Sequence, residues 1–276
     1  MQLSILIRNL NEAKSLEQTL LALKRQQTSF EYEVVVVDNQ SDDNSREIAL
    51  GKGCKVFTLP RKEFTYGHAL NFGISKCLGE IIVILSAHVV LLNEFFLEKI
   101  PPYFEDASIA GLRFVLGTSP WNVCRSIIDG PQKLVYEETP DFATKNWTHL
   151  VVNHCSAIRR SCWEMLSFDE KIIDGEDKLW SLNVLKRNYS ILYNVPCYYV
   201  YTKEIQREKK IAAEVRALYA KSLITNKSER LFSVPYLKSI FLKTITELRH
   251  ARVQLLIHHN VYKRLKALHR NGNQKN

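Results

Sequence analysis

The sequence is short of the residues that punctuate loops and repeats, with 10 glycines and 8 prolines in 276 residues. That scarcity argues against a fibrous repeat or long disordered tracts. No glycine-rich phosphate loop, neither GxGxxG nor GxxxxGK(S/T), follows the first apolar run, so a dinucleotide-binding fold or a P-loop NTPase is not expected. The six cysteines (54, 77, 124, 155, 162, 197) include no CxxC pair, which argues against zinc and for reduced, mostly buried thiols. The longest apolar stretch, Ile81 to Leu92, contains Ser86 and His88 and falls short of the roughly 20 residues a membrane-spanning helix needs. Met1 to Leu10 lacks the basic start of a secretory signal, and Arg8 interrupts its apolar run. A cytosolic protein without a transmembrane anchor is the expectation.

What is present is an ordinary globular composition, 46% hydrophobic and 24% charged, enough for a sizeable core. The length predicts one large domain or a domain with an appendage. The net charge of +9 is unevenly placed: residues 203–276 hold 17 Lys/Arg against 5 Asp/Glu, and residues 1–202 hold 21 against 24. A basic chain invites a nucleic-acid reading, but no binding motif or Arg-rich base-reading surface accompanies the charge. Nucleic acid is not expected as a partner.

Along the chain, strand-like runs alternate with helical periodicity. Leu3 to Ile7 is followed by Leu16, Leu20 and Leu23 at helical spacing, and Glu33 to Val37 is a continuous apolar run, as in strands covered on both faces. Ser41-Asp42 are expected to cap a helix ending near Gly51. Cys54 to Leu59 reads as a third strand, Tyr66 to Leu78 as a helix closed by Gly79, and Ile81 to Leu85 as a fourth strand. This alternation predicts a doubly wound α/β sheet whose ligands lie beyond the strands' carboxyl ends. Those positions hold Arg8, Asn9, Asn11 and Glu12, then Asp38 and Asn39, then Pro60, Arg61 and Lys62, and then Ser86, Ala87 and His88. Residues 105–148 show no clear period and read as mixed strands and loops. A helix is expected around 161–166 and another opening at Glu176, with short strands at 190–195 and 198–201.

Several segments together resemble the family 2 glycosyltransferases. They are Ser4-Ile-Leu-Ile-Arg8-Asn-Leu-Asn11-Glu12, Val36-Val-Asp38-Asn39-Gln-Ser41-Asp42, Tyr66-Gly67-His-Ala69-Leu-Asn71, Ser86-Ala87-His88 and Gly175-Glu176-Asp177-Lys-Leu-Trp180. Each is loose alone, and their order and spacing carry the likeness, which is nearest to bacterial enzymes that extend surface polysaccharides. The resemblance implies a GT-A fold with a mostly parallel central sheet over residues 1–202, and residues 203–276 as a basic, amphipathic helical extension.

By that resemblance Arg8, Asn9, Glu12, Asp38, Gly67, Asn71, Ser86, Ala87 and His88 contact a nucleotide-sugar donor. Asp38 would recognise a uracil or thymine, though a turn-starting Asp is the plain alternative. Arg8 would pair with the diphosphate, or else with Glu12 or Asp38. Gly67 would let the backbone approach a ligand at a helix start, and Asn71 would touch ribose or phosphate, or instead fix a neighbouring loop. Asp177 would be the general base of an inverting transfer, favoured as an ion at a helix N-terminus. Glu176 would orient the acceptor, Trp180 would offer a face to a sugar ring, and Asn153 and His154, with Ser156, would line the acceptor side.

Two departures bear on the cofactor. Relatives carry Asp-x-Asp, which holds Mn²⁺ or Mg²⁺ on the donor diphosphate, where this chain has Ser86-Ala87-His88. Many also carry a late histidine where this chain has Tyr198-Tyr-Val-Tyr201-Thr202-Lys203. A departing diphosphate still needs electrostatic stabilisation, so His88 is the candidate metal ligand or phosphate donor, and Lys203, Arg207, Lys209 and Lys210 are candidate substitute charges. The basic segment suits an anionic membrane surface, where each Lys or Arg contributes about 1 kcal/mol. It places the enzyme at the inner face of the cell membrane with a lipid-linked glycan as acceptor. An exposed basic face packed on the body is the plainer reading of that segment. An inactive scaffold is the alternative that the missing Asp-x-Asp raises.

Overall fold

A computed structural model describes residues 3–172 and 174–202. In chain order its elements are β1 (Leu3–Asn9), α1 (Ala13–Lys24), β2 (Tyr32–Asp38), α2 (Ser45–Gly51), β3 (Lys55–Thr58), α3 (Tyr66–Ile74), β4 (Ile81–Ser86) and β5 (Val89–Leu91). They continue with β6 (Ile109–Leu116), α4 (Pro120–Ile128), β7 (Gln132–Leu134), α5 (Phe142–Lys145), β8 (Cys155–Arg159), α6 (Arg160–Met165), α7 (Glu176–Leu185) and β9 (Ser190–Tyr201). The basic helical extension expected over 203–276 lies outside the described residues. Among the described residues no helix is long and apolar enough to cross a membrane.

The sheet runs β3-β2-β1-β4-β8-β6-β9-β5, with β7 against β9. Continuous apolar runs build its first half because both faces are covered. Ile5 and Ile7 of β1 join Leu16, Leu20 and Leu23 of α1 in one core, while Leu6 joins Leu70 and Ile74 of α3 and Val184 of α7 in the other. Alternate residues of one strand thus feed opposite layers. From β3 to β4 the neighbours are parallel, as expected. The other half is mixed: β8 runs antiparallel to both β4 and β6, and β9 lies parallel to β6 but antiparallel to β5 and β7. Parallel pairing is therefore continuous through the first half of the sheet and is limited to β6 and β9 in the second.

Four segments differ from their sequence reading. The unperiodic region 105–148 contains β6, α4, β7 and α5. The two short strands expected at 190–201 are one strand, β9, whose register against β6 shifts around Val195, with Asn194 at φ 56° and Pro196 beside it. Proline is tolerated in a sheet at such an irregularity. Helix α3 ends at Ile74, short of Leu78. Ser41-Asp42 do not cap α2 either, since its N-cap is Asn44 and Ser41 bonds to Asp38 instead.

β2 lies on one side of β1 and β4 on the other. The crevice beyond their carboxyl ends is a topological switch point, where open α/β sheets bind ligands. Helix α3 flanks it and packs tightly: a Cβ on Gly67 would lie 2.3 Å from the main-chain oxygen of Asp169. Gly67 is thus required by a protein contact, not by a ligand at the helix start. Gly67→Ala should lower unfolding stability by about 1–3 kcal/mol in urea titration. Gly51→Ala, at a site with nothing within 4 Å, should leave stability unchanged or slightly raised.

Candidate active site

A cleft of about 480 Å³ opens at the switch point. Its floor is the chain leaving β1 and β4 (Arg8, Asn9, Glu12, Ser86, His88), one wall is Phe64, Tyr66 and Ala69, and the other is Asn153, His154, Asp174 and Tyr201. The turns after β1 and β2 are laced together. Asn11 takes φ 53° and Gln40 φ 54°, conformations that asparagine tolerates better than most residues. The Asn11 N–H donates to Ser41 Oγ at 2.9 Å, and its side-chain oxygen accepts from Asp42 N at 2.7 Å.

Asp38 is buried and holds this turn. Its Oδ1 accepts from Asn9 Nδ2 (2.9 Å) and Ser41 Oγ (2.6 Å), and its Oδ2 accepts from Ser41 N (3.0 Å). It lies behind the cleft wall, so a direct base contact is replaced by a turn-fixing role. Asn39, passed over in the sequence reading as a ligand contact, lines the cleft instead. The side-chain oxygens of Asn9 and Asn39 and Arg8 Nε are buried without hydrogen-bond partners, an uncommon state that costs free energy unless something pairs with them. Arg8 pairs with neither Glu12 nor Asp38. Its Nη2 donates to the Asn153 carbonyl at 2.8 Å, and its guanidinium lies 5.1 Å from the Tyr66 ring centre.

His88 and Glu12 meet across the floor, Nδ1 to Oε2 at 2.8 Å. Ala87 is buried between strand neighbours, its carbonyl accepting from Thr19 Oγ1 at 2.8 Å, so Ser86 and His88 alone of the three reach the cleft. Glu12 and His88, the metal-ligating side chains of this floor among the described residues, are bonded to each other. Among the described residues no group of three His, Cys, Asp or Glu side chains is placed to hold a cation. These residues do not fit a self-contained Mn²⁺ or Mg²⁺ site.

Behind the far wall lies a buried charged cluster at the N-terminus of α7, entered through Gly175 at φ 88°. Asp177 accepts from the main-chain N–H groups of Asn153 (2.8 Å) and Lys178 (2.7 Å). Glu176 Oε1 accepts from Asn153 Nδ2 at 2.5 Å, while its Oε2 has no partner. Burial and the neighbouring Asp177 push the Glu176 carboxyl up to about 7. Burial likewise lowers the Lys178 ammonium to about 7, although its Nζ reaches the carbonyls of Leu150 and Val151. Asp177 retains 8% exposure and Glu176 none.

Three expected contacts prove to be internal. The Asn71 amide donates to Phe168 O and Glu170 Oε1 and accepts from Trp163 Nε1 and Phe168 N, so it fixes the loop before α7. Trp180 is buried against Phe168 and donates to Leu166 O at 2.7 Å, leaving no face for a sugar. Ser156 is fully buried on β8. Asn153 and His154 do border the cleft. Asp174 was missed, though Asp174-Gly175 before an acidic helix start marked a turn that exposes its first residue.

The model of the family described as Glycosyl transferase family 2 matches residues 4–166. The O-antigen chain rhamnosyltransferase RfbN of Salmonella typhimurium is 26% identical over 204 residues, 70% of this chain and 64% of the relative. The chain thus spans less than two thirds of that relative's length. Among solved structures, a mannosyltransferase from Pyrobaculum calidifontis in complex with GDP-Man and Mn²⁺ superposes with a TM-score of 0.62 at 19% identity, covering 86% of this chain and 67% of that one. Glucosyl-3-phosphoglycerate synthase from Mycobacterium tuberculosis, in complex with Mn²⁺, UDP and its product, gives 0.61 at 16% identity, covering 81% and 79%. At these identities the likeness establishes the fold, a GT-A arrangement.

The raised Glu176 carboxyl has a stability consequence. A buried acid with a raised pKa contributes stability that is present below its unfolded value, near 4.5, and is lost as pH rises through about 7. Glu176→Gln keeps the shape and removes that titration. The melting temperature of Glu176→Gln minus that of the wild type should therefore increase from pH 5 to pH 7.5 and level off above. A flat difference across that range would show that Glu176 is ionised throughout.

Proposed function

The chain belongs to glycosyl transferase family 2, and from that premise we propose that it transfers one sugar, with inversion, from a UDP- or dTDP-sugar to a growing bacterial surface glycan. The observation that carries the donor half is the set of unpaired buried polar atoms at the cleft, on Arg8, Asn9 and Asn39. A pyrimidine imide presents one N–H between two carbonyls, a pattern that asparagine amides can complement with small side-chain rotations. Tyr66 and Phe64 on the adjacent wall supply apolar surface for the base or ribose, and Arg8 lies where positive charge can meet the diphosphate. The Salmonella relative's name supports a surface-glycan acceptor.

In this reading Asp177 is the general base. It takes the proton of the acceptor hydroxyl as that oxygen bonds to the anomeric carbon, and the bond from that carbon to the diphosphate breaks with its electron pair leaving on the diphosphate oxygen. Asp177 is favoured over Glu176 because it keeps some exposure and is oriented by two main-chain donors, whereas Glu176 is fully buried. Glu176 serves as its buried neighbour, tied to Asn153. No step is assigned to a metal. The lipid-linked nature of the acceptor and contact of the basic segment 203–276 with an anionic membrane belong to the same proposal.

Two measurements test it. UDP or dTDP, and not GDP or CMP, should raise the melting temperature of the full chain, since saturation at a hundredfold above Kd contributes about 2.7 kcal/mol. Asp177→Asn should keep that shift while lowering nucleotide release from the matching donor by about 10²–10⁴-fold. Turnover within tenfold of wild type would remove Asp177 as the base, and no shift with any nucleotide would remove the donor assignment.

A further inference from the structure

A second cleft, of about 440 Å³, lies beside the first. The two share His154 and Tyr201 as walls. It is built from the end of β6, from α4, and from β9 where Asn194 takes its left-handed conformation. Two arginines, Arg113 and Arg125, line it together with His149 and Tyr193, and no carboxylate does so among the described residues.

Arg113 is the telling residue. It is partly buried on a central strand, where a guanidinium normally has a carboxylate partner. It lines the cleft and forms no ion pair within 4 Å; its one hydrogen bond runs from Nη1 to the Leu150 carbonyl at 2.9 Å, and Asp177 acts on it only through the electrostatic field. Arg125 comes from α4 on the opposite side and is half-exposed beside Asp129. Between them His149 stacks flat on Tyr193, ring centres 4.0 Å apart at 16°. The imidazole is driven towards its neutral form by burial and by both arginines, which registers the positive field inside the cleft. A planar aromatic platform beside two guanidinium groups suits a sugar ring carrying an oxyanion.

We propose that this second cleft is an acceptor subsite for an acidic glycan residue, with Arg113 gripping its carboxylate or phosphate and the His149–Tyr193 pair supporting its ring. The shared wall of His154 and Tyr201 then sets the spacing between the acidic residue and the sugar being transferred. The inference rests on the reading of the first cleft as the donor site. It narrows the acceptor to polymers in which a uronic acid or a phosphate-bearing sugar lies close to the growing end.

The test uses the full chain and four probes in isothermal titration: UDP, a galacturonic acid trisaccharide, inorganic phosphate and neutral maltotriose. The acidic trisaccharide or phosphate should bind while maltotriose does not, and which of the two binds tells a uronate from a phosphate acceptor. Arg113→Lys and Arg113→Gln should weaken that binding at least tenfold and leave UDP affinity within twofold. Arg125→Gln, a change at an exposed side chain, should weaken it about threefold and carries the test if the Arg113 variants do not fold. Absence of binding by both anions, or binding indifferent to Arg113 and Arg125, overturns the subsite. So does loss of UDP binding in the Arg113 variants, which would assign the cleft to the donor diphosphate. If UDP binds and the anions do not, the acceptor inference fails and the transferase reading stands; if the anions bind and no nucleotide does, the reverse holds.

Discussion

The site hangs on one irregular stretch of main chain, residues 150–154. It precedes β8 and runs between the end of β4 and the start of α7 with few hydrogen bonds to regular structure, yet Leu150 to Val152 are buried. Buried carbonyls need donors, and here they come from cationic side chains: Lys178 to Leu150 and Val151, Arg113 to Leu150, Arg8 to Asn153. The same stretch gives the Asn153 main chain to Asp177 and the Asn153 side chain to Glu176. The His154 carbonyl accepts from Ser86 N, which locks the end of β4 to it. Cleft floor, acidic pair and second cleft are therefore held in register by five residues that are neither helix nor, before Cys155, strand.

That arrangement explains why so much charge is buried around α7. Arg8, Arg113 and Lys178 are cations placed to solvate carbonyls, and Glu176 and Asp177 partly balance them. The balance is incomplete: burial pulls Glu176 and Lys178 towards their neutral forms, against the attraction between them. Asp177, in the first turn of α7, instead accepts from two main-chain N–H groups, those of Asn153 and Lys178. The two neighbouring carboxyls thus stand in different settings, Asp177 bonded by main-chain donors and Glu176 fully buried with one oxygen unpartnered.

The half of the fold legible in the sequence is the half made of local alternation. β1 to β4 announce themselves as apolar runs separated by helical periods, and their carboxyl ends gave the cleft floor residue by residue. β6 did not, and β9 read as two short strands, because their pairing joins residues about 80 apart and the irregularity at Asn194 and Pro196 breaks the period. Arg8, Asn9, Glu12, Ser86, His88, Asn153 and His154 all line the cleft. Asn71, Gly67 and Trp180 belong to the same motifs but serve the loop that carries α7 into place. A motif records that a residue matters to the site, and only packing tells whether it faces the ligand or holds the wall.

The replacement of Asp-x-Asp by Ser86-Ala87-His88 follows from the same constraint. Glu12 comes off β1 and points at position 88, with 2.8 Å between its carboxylate and the imidazole. A carboxylate at 88 would face Glu12 at about that distance, and like charges about 3 Å apart do not both stay ionised. An imidazole there relieves the conflict and bonds to Glu12 instead. Glu12 and His88 are thus best understood as one unit, and restoring an aspartate at 88 alone would create a protonated acid pair before it created a cation site. Arg8, held by the Asn153 carbonyl and placed near the Tyr66 ring, is then the cation that lines this floor among the described residues.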